Sequence, residues 1–299
     1  MTGRRMSAAR TIALLSILVA GMGAATGAVE SKDVGILFSV TDYSRPNVTN
    51  PDGQRPRIVI EPFAYVVDGK LVNIPEDVDQ QQFVERYYSK HHRYTLFSGG
   101  RSGGSVEVGQ PEIGGECETL SASAVVTPSG KVAGMRMALA SNVPLHELDY
   151  VRRSTSDAER AAIVSLATQV YTGNGISADW AAKAQVTNIT AVEGKLNTAL
   201  IGSFSIIRRV EERSDTVDAA FLIAEKNSKG VYETTYSWFS SGAGESMQTQ
   251  HLVDVMDITG TGIPDVVAET SYYESVEYHV YRKLQGKWQE IYNNSFGGC

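Results

Sequence analysis

Two stretches of this 299-residue chain carry side chains equipped for chemistry. The first runs from Glu85 through Tyr87 and Tyr88 to His91-His92, a carboxylate and two imidazoles that suggest a metal site or a general base. Adjacent histidines point to different faces of a strand or helix and rarely chelate one ion unaided. With Lys90 and Arg93 beside them, a solvated basic helix end is the simpler reading. The second stretch is Asp257-Ile258-Thr259-Gly260-Thr261-Gly262-Ile263-Pro264-Asp265, a glycine-rich loop ahead of the apolar Val266-Val267-Ala268. His146, His251 and His279 are isolated in sequence and read as surface or packed residues. No HExxH, no G-x-S-x-G elbow and no phosphate-binding loop occurs, which weakens the case for an enzyme. It does not exclude one, because catalytic groups also assemble from distant segments.

The elements that must position these residues are mostly strands. Arg57 to Val67 returns as Leu71 to Ile74 across the turn Asp68-Gly69. Tyr94 to Ser98 faces Ser105 to Val108 across Gly99 to Gly104, and Ala122 to Val126 faces Val132 to Ala138 across Pro128-Ser129-Gly130. Three hairpins predict a β-rich first domain over 33–150, interrupted by a helix within Pro75 to Lys90 whose Val78, Phe83, Val84 and Tyr87 share a face. Capping residues Ser154 to Ser156 open a helix through Val170 that stops at Gly173-Asn174-Gly175, and residues 151–183 form a helical connector. The fold class expected is therefore mainly β with minor α.

Residues 184–296 contain an internal repeat. Thr187 to Gly194 matches Val253 to Gly260, and each is followed by a loop, a strand (Thr198 to Ile206; Asp265 to Tyr272) and a hairpin. With its loop, the strand ending Tyr272-Tyr273-Glu274 and the hairpin to Trp288, the second unit resembles the FG-GAP repeats, also called VCBS or integrin-alpha-like repeats. The resemblance covers about a third of the chain and implies antiparallel sheets from two units, stacked as a sandwich or a partial propeller, since two units do not close a propeller. It also implies a calcium site. A tight loop turns alternate side chains inward, and a hard cation wants six to eight oxygens. The inward set would be Asp257, Thr259, Thr261, the Ile263 carbonyl and Asp265. Two of the family's carboxylates are threonine here, so any calcium binding is expected to be weak. The rival reading is a plain turn using Gly260 and Gly262 for backbone freedom. The first unit offers only Glu193 and a lysine at the equivalent place.

Arg4, Arg5 and Arg10, an apolar run from Ile12 to Ala20 and small residues through Ala28 have the layout of a secretory signal peptide over residues 1–28. Cleavage removes three of 27 basic residues and none of 34 acidic ones, taking the formal charge from −7 to −10. Such a surface repels phosphate backbones, so nucleic acid is not an expected partner, and no stable membrane anchor is expected after cleavage. Outside the cytosol the two cysteines, Cys117 and Cys299, suit a disulfide; the alternative is two free thiols, with the Gly297-Gly298-Cys299 tail open to another molecule.

Together these readings predict an exported, periplasmic or secreted, non-catalytic binding or envelope-associated protein. Its partner would be a protein or carbohydrate ligand, with Tyr272, Tyr273, Tyr278, Tyr281, Trp288 and Tyr292 as candidate contact aromatics; strand packing is their simpler role. The alternative is a secreted hydrolase built around Glu85, His91, His92 and Asp149 in the first domain.

Overall fold

The computed structural model describes residues 34–43, 58–112, 120–129, 137–147, 149–194, 198–209, 215–273 and 275–298. The expected signal peptide, Cys117 and Cys299 lie outside them, and with those residues the expected bridge. The described strands make three antiparallel sheets in one packed unit within residues 33–299, so the mainly β expectation holds.

The first sheet is built from β1 (Gly35–Asp42), β2 (Ile58–Val67), β3 (Lys70–Val72), β4 (Arg93–Ser98), β5 (Arg101–Glu112), β6 (Ser121–Pro128) and β7 (Met137–Ser141). Its order is β1-β7-β4-β5-β6-β2, and β1 also pairs with β2, so six strands close into a barrel with β3 appended to β2. Closure removes the exposed edges that an open sheet must manage. Ile36, Phe38 and Val40 alternate inward along β1 with Ile60, Leu96 and Val106 from neighbouring strands. Phe83, Val84, Tyr87 and Tyr88 of α1 (Gln80–Val84) and the π-helical turn after it join that interior. Leu37 points the other way and is also fully buried, because the outside of the barrel is covered too.

The second sheet has the order β12-β11-β10-β9-β8, from β8 (Val151–Arg153), β9 (Gln185–Glu193), β10 (Thr198–Arg208), β11 (Thr216–Lys226) and β12 (Tyr232–Ala243). The third is the meander β13-β14-β15-β16, from β13 (Thr249–Met256), β14 (Asp265–Ser271), β15 (Ser275–Leu284) and β16 (Lys287–Gly298). The two segments matched in sequence each end the first strand of a four-strand meander, β9 to β12 and β13 to β16. The molecule is layered. Helix α2 (Asp157–Gly173) packs Ile163, Ala167 and Tyr171 on one face of the second sheet, whose other face contributes Val192, Ile201, Phe221 and Ile223 against Leu252, Val255, Val266 and Tyr281 of the third. The third sheet's opposite face puts Val253, Val267, Tyr278 and Val280 against Leu37, Phe63 and Leu139 of the barrel. Being covered on both faces, β14 is apolar at successive positions Val266, Val267 and Ala268.

Two local expectations are corrected. β6 pairs with β5 and β2, and β7 with β1 and β4, in the closed barrel; residues 130–136 of the hairpin expected across Pro128 lie outside the described residues. The turn between β4 and β5 is only Gly99-Gly100, both at positive φ, and the strand resumes at Arg101. The helix expected over Pro75 to Lys90 starts at Gln80, where the Asp79 side chain accepts the Gln82 amide and sets the boundary. Helix α2 begins as expected, with a reciprocal Ser156–Glu159 capping box.

Candidate functional site

Strand alternation along β15 gives neighbouring residues opposite tasks. Even positions Tyr278, Val280 and Arg282 belong to the barrel side of the third sheet, while Tyr281 and Lys283 belong to the side facing the second sheet. Arg282 sits directly across from Asp265, which opens β14 and is fully buried. Its Nε donates to Asp265 Oδ1 at 2.7 Å, its Nη2 donates to Oδ2 at 2.8 Å, and Nη2 also donates to the Thr259 hydroxyl. The Ile258 amide adds a bond to Asp265 Oδ2 at 3.1 Å. Burial pushes the Asp265 carboxyl upward against the pull of the guanidinium, and Asp265 in turn raises Arg282.

Asp257 does a separate job. Its carboxylate accepts the amides of Thr261 (2.9 Å) and Gly262 (2.6 Å), closing a turn in which Gly260 and Gly262 both have positive φ. A side chain at Gly260 would also collide with the His146 ring, since an added Cβ would lie 2.5 Å from its Nε2. The five residues expected to surround a cation are thus sorted differently. Asp257 and Thr261 hold the turn, Asp265 and Thr259 hold Arg282, and Ile263 faces a neighbouring cleft. This donor set does not fit calcium: the Asp265 carboxylate is already occupied on both oxygens by a fixed positive group. Among the described residues no group of three or more His, Cys, Asp or Glu side chains is placed to hold a metal.

The cleft walled by Gly262, Ile263 and Pro264 lies between the second and third sheets and has a volume of about 340 Å³. Its sides are apolar: Val192, Ala199 and Ile201 from one sheet, Val255 and Val266 from the other. Tyr150, on the approach to β8, and Trp288 of β16 add aromatic surface. Gly194 lets Tyr150 lie close to the backbone, because an added Cβ would stand 2.3 Å from the ring. The polar members are Glu225 and Lys283, whose Nζ donates to the carboxylate at 2.7 and 2.9 Å and so ties the two sheets together. The buried Trp288 indole N–H has no hydrogen-bond partner among the described residues. Ligand pockets combine apolar walls with a few placed polar groups, commonly at 300–1,000 Å³, and this cleft has that character.

Sequence reasoning reached Trp288 and the loop but missed Tyr150, Glu225 and Lys283. The available signal was phase: Glu225 continues the series Phe221, Ile223 that faces the third sheet, so an acid stands on an otherwise apolar stripe. The aromatic set does not form one face. Tyr278 and Tyr292 pack toward the barrel, Tyr281 toward the second sheet, Tyr272 bonds Glu277 at 2.6 Å, and Tyr273 is exposed. Glu85 pairs with Lys90 at 2.9 Å, His91, His92 and Asp149 are exposed, and none of these residues lines the cleft.

Two further polar clusters join the layers. At the barrel contact the buried Tyr278 hydroxyl lies 2.7 Å from Ser39 Oγ, 2.8 Å from Glu61 Oε2 and 3.3 Å from Glu269 Oε2. One phenolic proton cannot serve both carboxylates, and burial together with the Glu269 charge pushes the Glu61 carboxyl up to about 7. Where the second and third sheets meet the barrel turn, the fully buried Asp254 accepts the amides of Gly99 (3.0 Å) and Val255 (2.8 Å) on Oδ1, with Arg152 at 3.4 Å. Burial raises this carboxyl against those donors. No protein-family model matches the chain, and no curated protein or solved structure matches it.

Proposed function

We propose that this chain is an exported, non-catalytic binding protein that takes a small amphipathic molecule into the cleft between its second and third sheets. One observation carries the reading: a cleft of about 340 Å³ with apolar and aromatic walls holds a single Glu225–Lys283 pair. An apolar body would be desolvated against Val192, Ile201, Val255 and Val266, at roughly 25 cal/mol per Å² buried. An acceptor group on the ligand would share Lys283 with Glu225. The volume suits a small molecule or one protruding side chain, in contrast to the roughly 800 Å² that each partner commits to a stable protein interface.

Export rests on the basic, apolar and small order of residues 4–28, and is checked by sequencing the N-terminus of the native protein, expected at Val29 or Glu30. Ligand binding is checked by titrating the protein with medium-chain and aromatic carboxylates, and with oligosaccharides, while following tryptophan fluorescence. Saturable binding of a carboxylate that is lost in the double variant Glu225→Gln/Lys283→Met supports the proposal. Changing both partners avoids stranding one charge in the cleft. Saturation by oligosaccharides alone would reassign the ligand class, and no saturation by any compound would overturn the reading.

A further inference from the structure

We propose that Arg282 is a built-in cation for the loop 257–265, so that the wall of the cleft is fixed by a side chain of the protein and not by an exchangeable ion. The loop has the composition of a cation-binding loop, with oxygen-bearing side chains at 257, 259, 261 and 265. Its positive charge comes from across the β14–β15 ladder: the guanidinium takes both Asp265 oxygens and the Thr259 hydroxyl. A guanidinium fork matches a carboxylate in two bonds and stays charged at any physiological pH. The same loop is pinned from outside by the His146 amide donating to the Asp257 carbonyl at 3.2 Å. Gly262, Ile263 and Pro264 then present a set surface to the cleft. The inference concerns the loop and does not depend on what the cleft binds.

Wild-type protein should ignore calcium, whereas a protein lacking the guanidinium should acquire a response to it, because Asp265 and Thr259 then stand uncovered beside Asp257 and Thr261. The charge-removing Arg282→Gln and the charge-keeping Arg282→Lys test this by thermal unfolding in excess chelator and in 5 mM calcium chloride, together with calorimetric titration of wild-type protein with calcium. We expect the wild-type Tm to be the same in both buffers and its titration to be flat. Arg282→Gln should lose about 10 °C in chelator, the scale for breaking a buried ion pair in a chain this size, and recover part of that loss in calcium. Arg282→Lys should lose less and remain indifferent to calcium. A calcium-dependent rise in the wild-type Tm, or heat of binding in its titration, would overturn the inference. So would an Arg282→Gln variant that is as stable as wild type in chelator, or one that is destabilised and unmoved by calcium. If Arg282→Gln does not fold, the wild-type titration and Arg282→Lys decide between the two accounts.

Discussion

The Glu61→Gln substitution should make the protein more stable at alkaline pH, the reverse of what loss of a buried hydrogen-bonding residue usually does. Glu61 shares the Tyr278 hydroxyl with Glu269 across the contact between the barrel and the third sheet, and its carboxyl is pushed from 4.5 up to about 7 by burial first and the Glu269 charge second. The folded state therefore keeps a proton that the unfolded chain has released. The stability this contributes is complete below about pH 4.5 and is lost as pH rises through about 7. The displacement corresponds to at most about 3 kcal/mol at 1.36 kcal/mol per pH unit. Glutamine has the same shape, carries no charge and can donate to the Tyr278 oxygen, so it removes the penalty and keeps the contact. Urea unfolding of both proteins at pH 4.5, 6, 7 and 8 should show similar stability at the acid end and a variant ahead by up to about 3 kcal/mol at pH 8. Taking the difference between the two proteins cancels the titrating groups that do not interact with Glu61. A difference that does not change with pH, or a variant that is weaker at pH 8, would refute the reasoning.

Two other substitutions probe the layers around the cleft. Glu159 is held down to about 2, first by its two 2.8 Å bonds from Arg153 and then by the Ser156 cap, so it contributes stability above about pH 4.5 that disappears as pH falls toward 2. Glu159→Gln should lose about 2 kcal/mol at pH 7 in urea unfolding, discounted for the partly exposed Arg153, and the deficit should vanish near pH 2. Gly194→Ala places a Cβ 2.3 Å from the Tyr150 ring, so the ring must swing away. This should lower stability by about 1–3 kcal/mol and weaken ligand binding in the fluorescence titration at least several-fold; an unchanged affinity would remove Tyr150 from the cleft.

How much of this could be read from the sequence differs from element to element. A hairpin with a dipeptide turn at positive φ was legible: Asp68-Gly69 closes the adjacent strands β2 and β3, because that turn geometry leaves only one partner. The place of β7 was not legible, because barrel closure, a long-range condition, inserts it between β1 and β4. The strand-and-loop order of 253–272 was visible, but its layer in the molecule was not, since burial of both faces of β14 depends on the barrel folding against it. For the site, the loop's acids were evident from composition. Their partner was not: Arg282 is 17 residues beyond Asp265 and meets it only through the β14–β15 register. Glu225 and Lys283 are 58 residues apart and meet only when two sheets stack, which no local pattern announces.

The claim that the cleft holds a ligand is tested most directly by native mass spectrometry of the protein, purified gently from its own cells without denaturant. The account predicts a species heavier than the bare chain by the mass of one small molecule, with that added mass missing from Glu225→Gln/Lys283→Met prepared in the same way. Bare chain in the wild-type preparation, or the same added mass on both proteins, would contradict it.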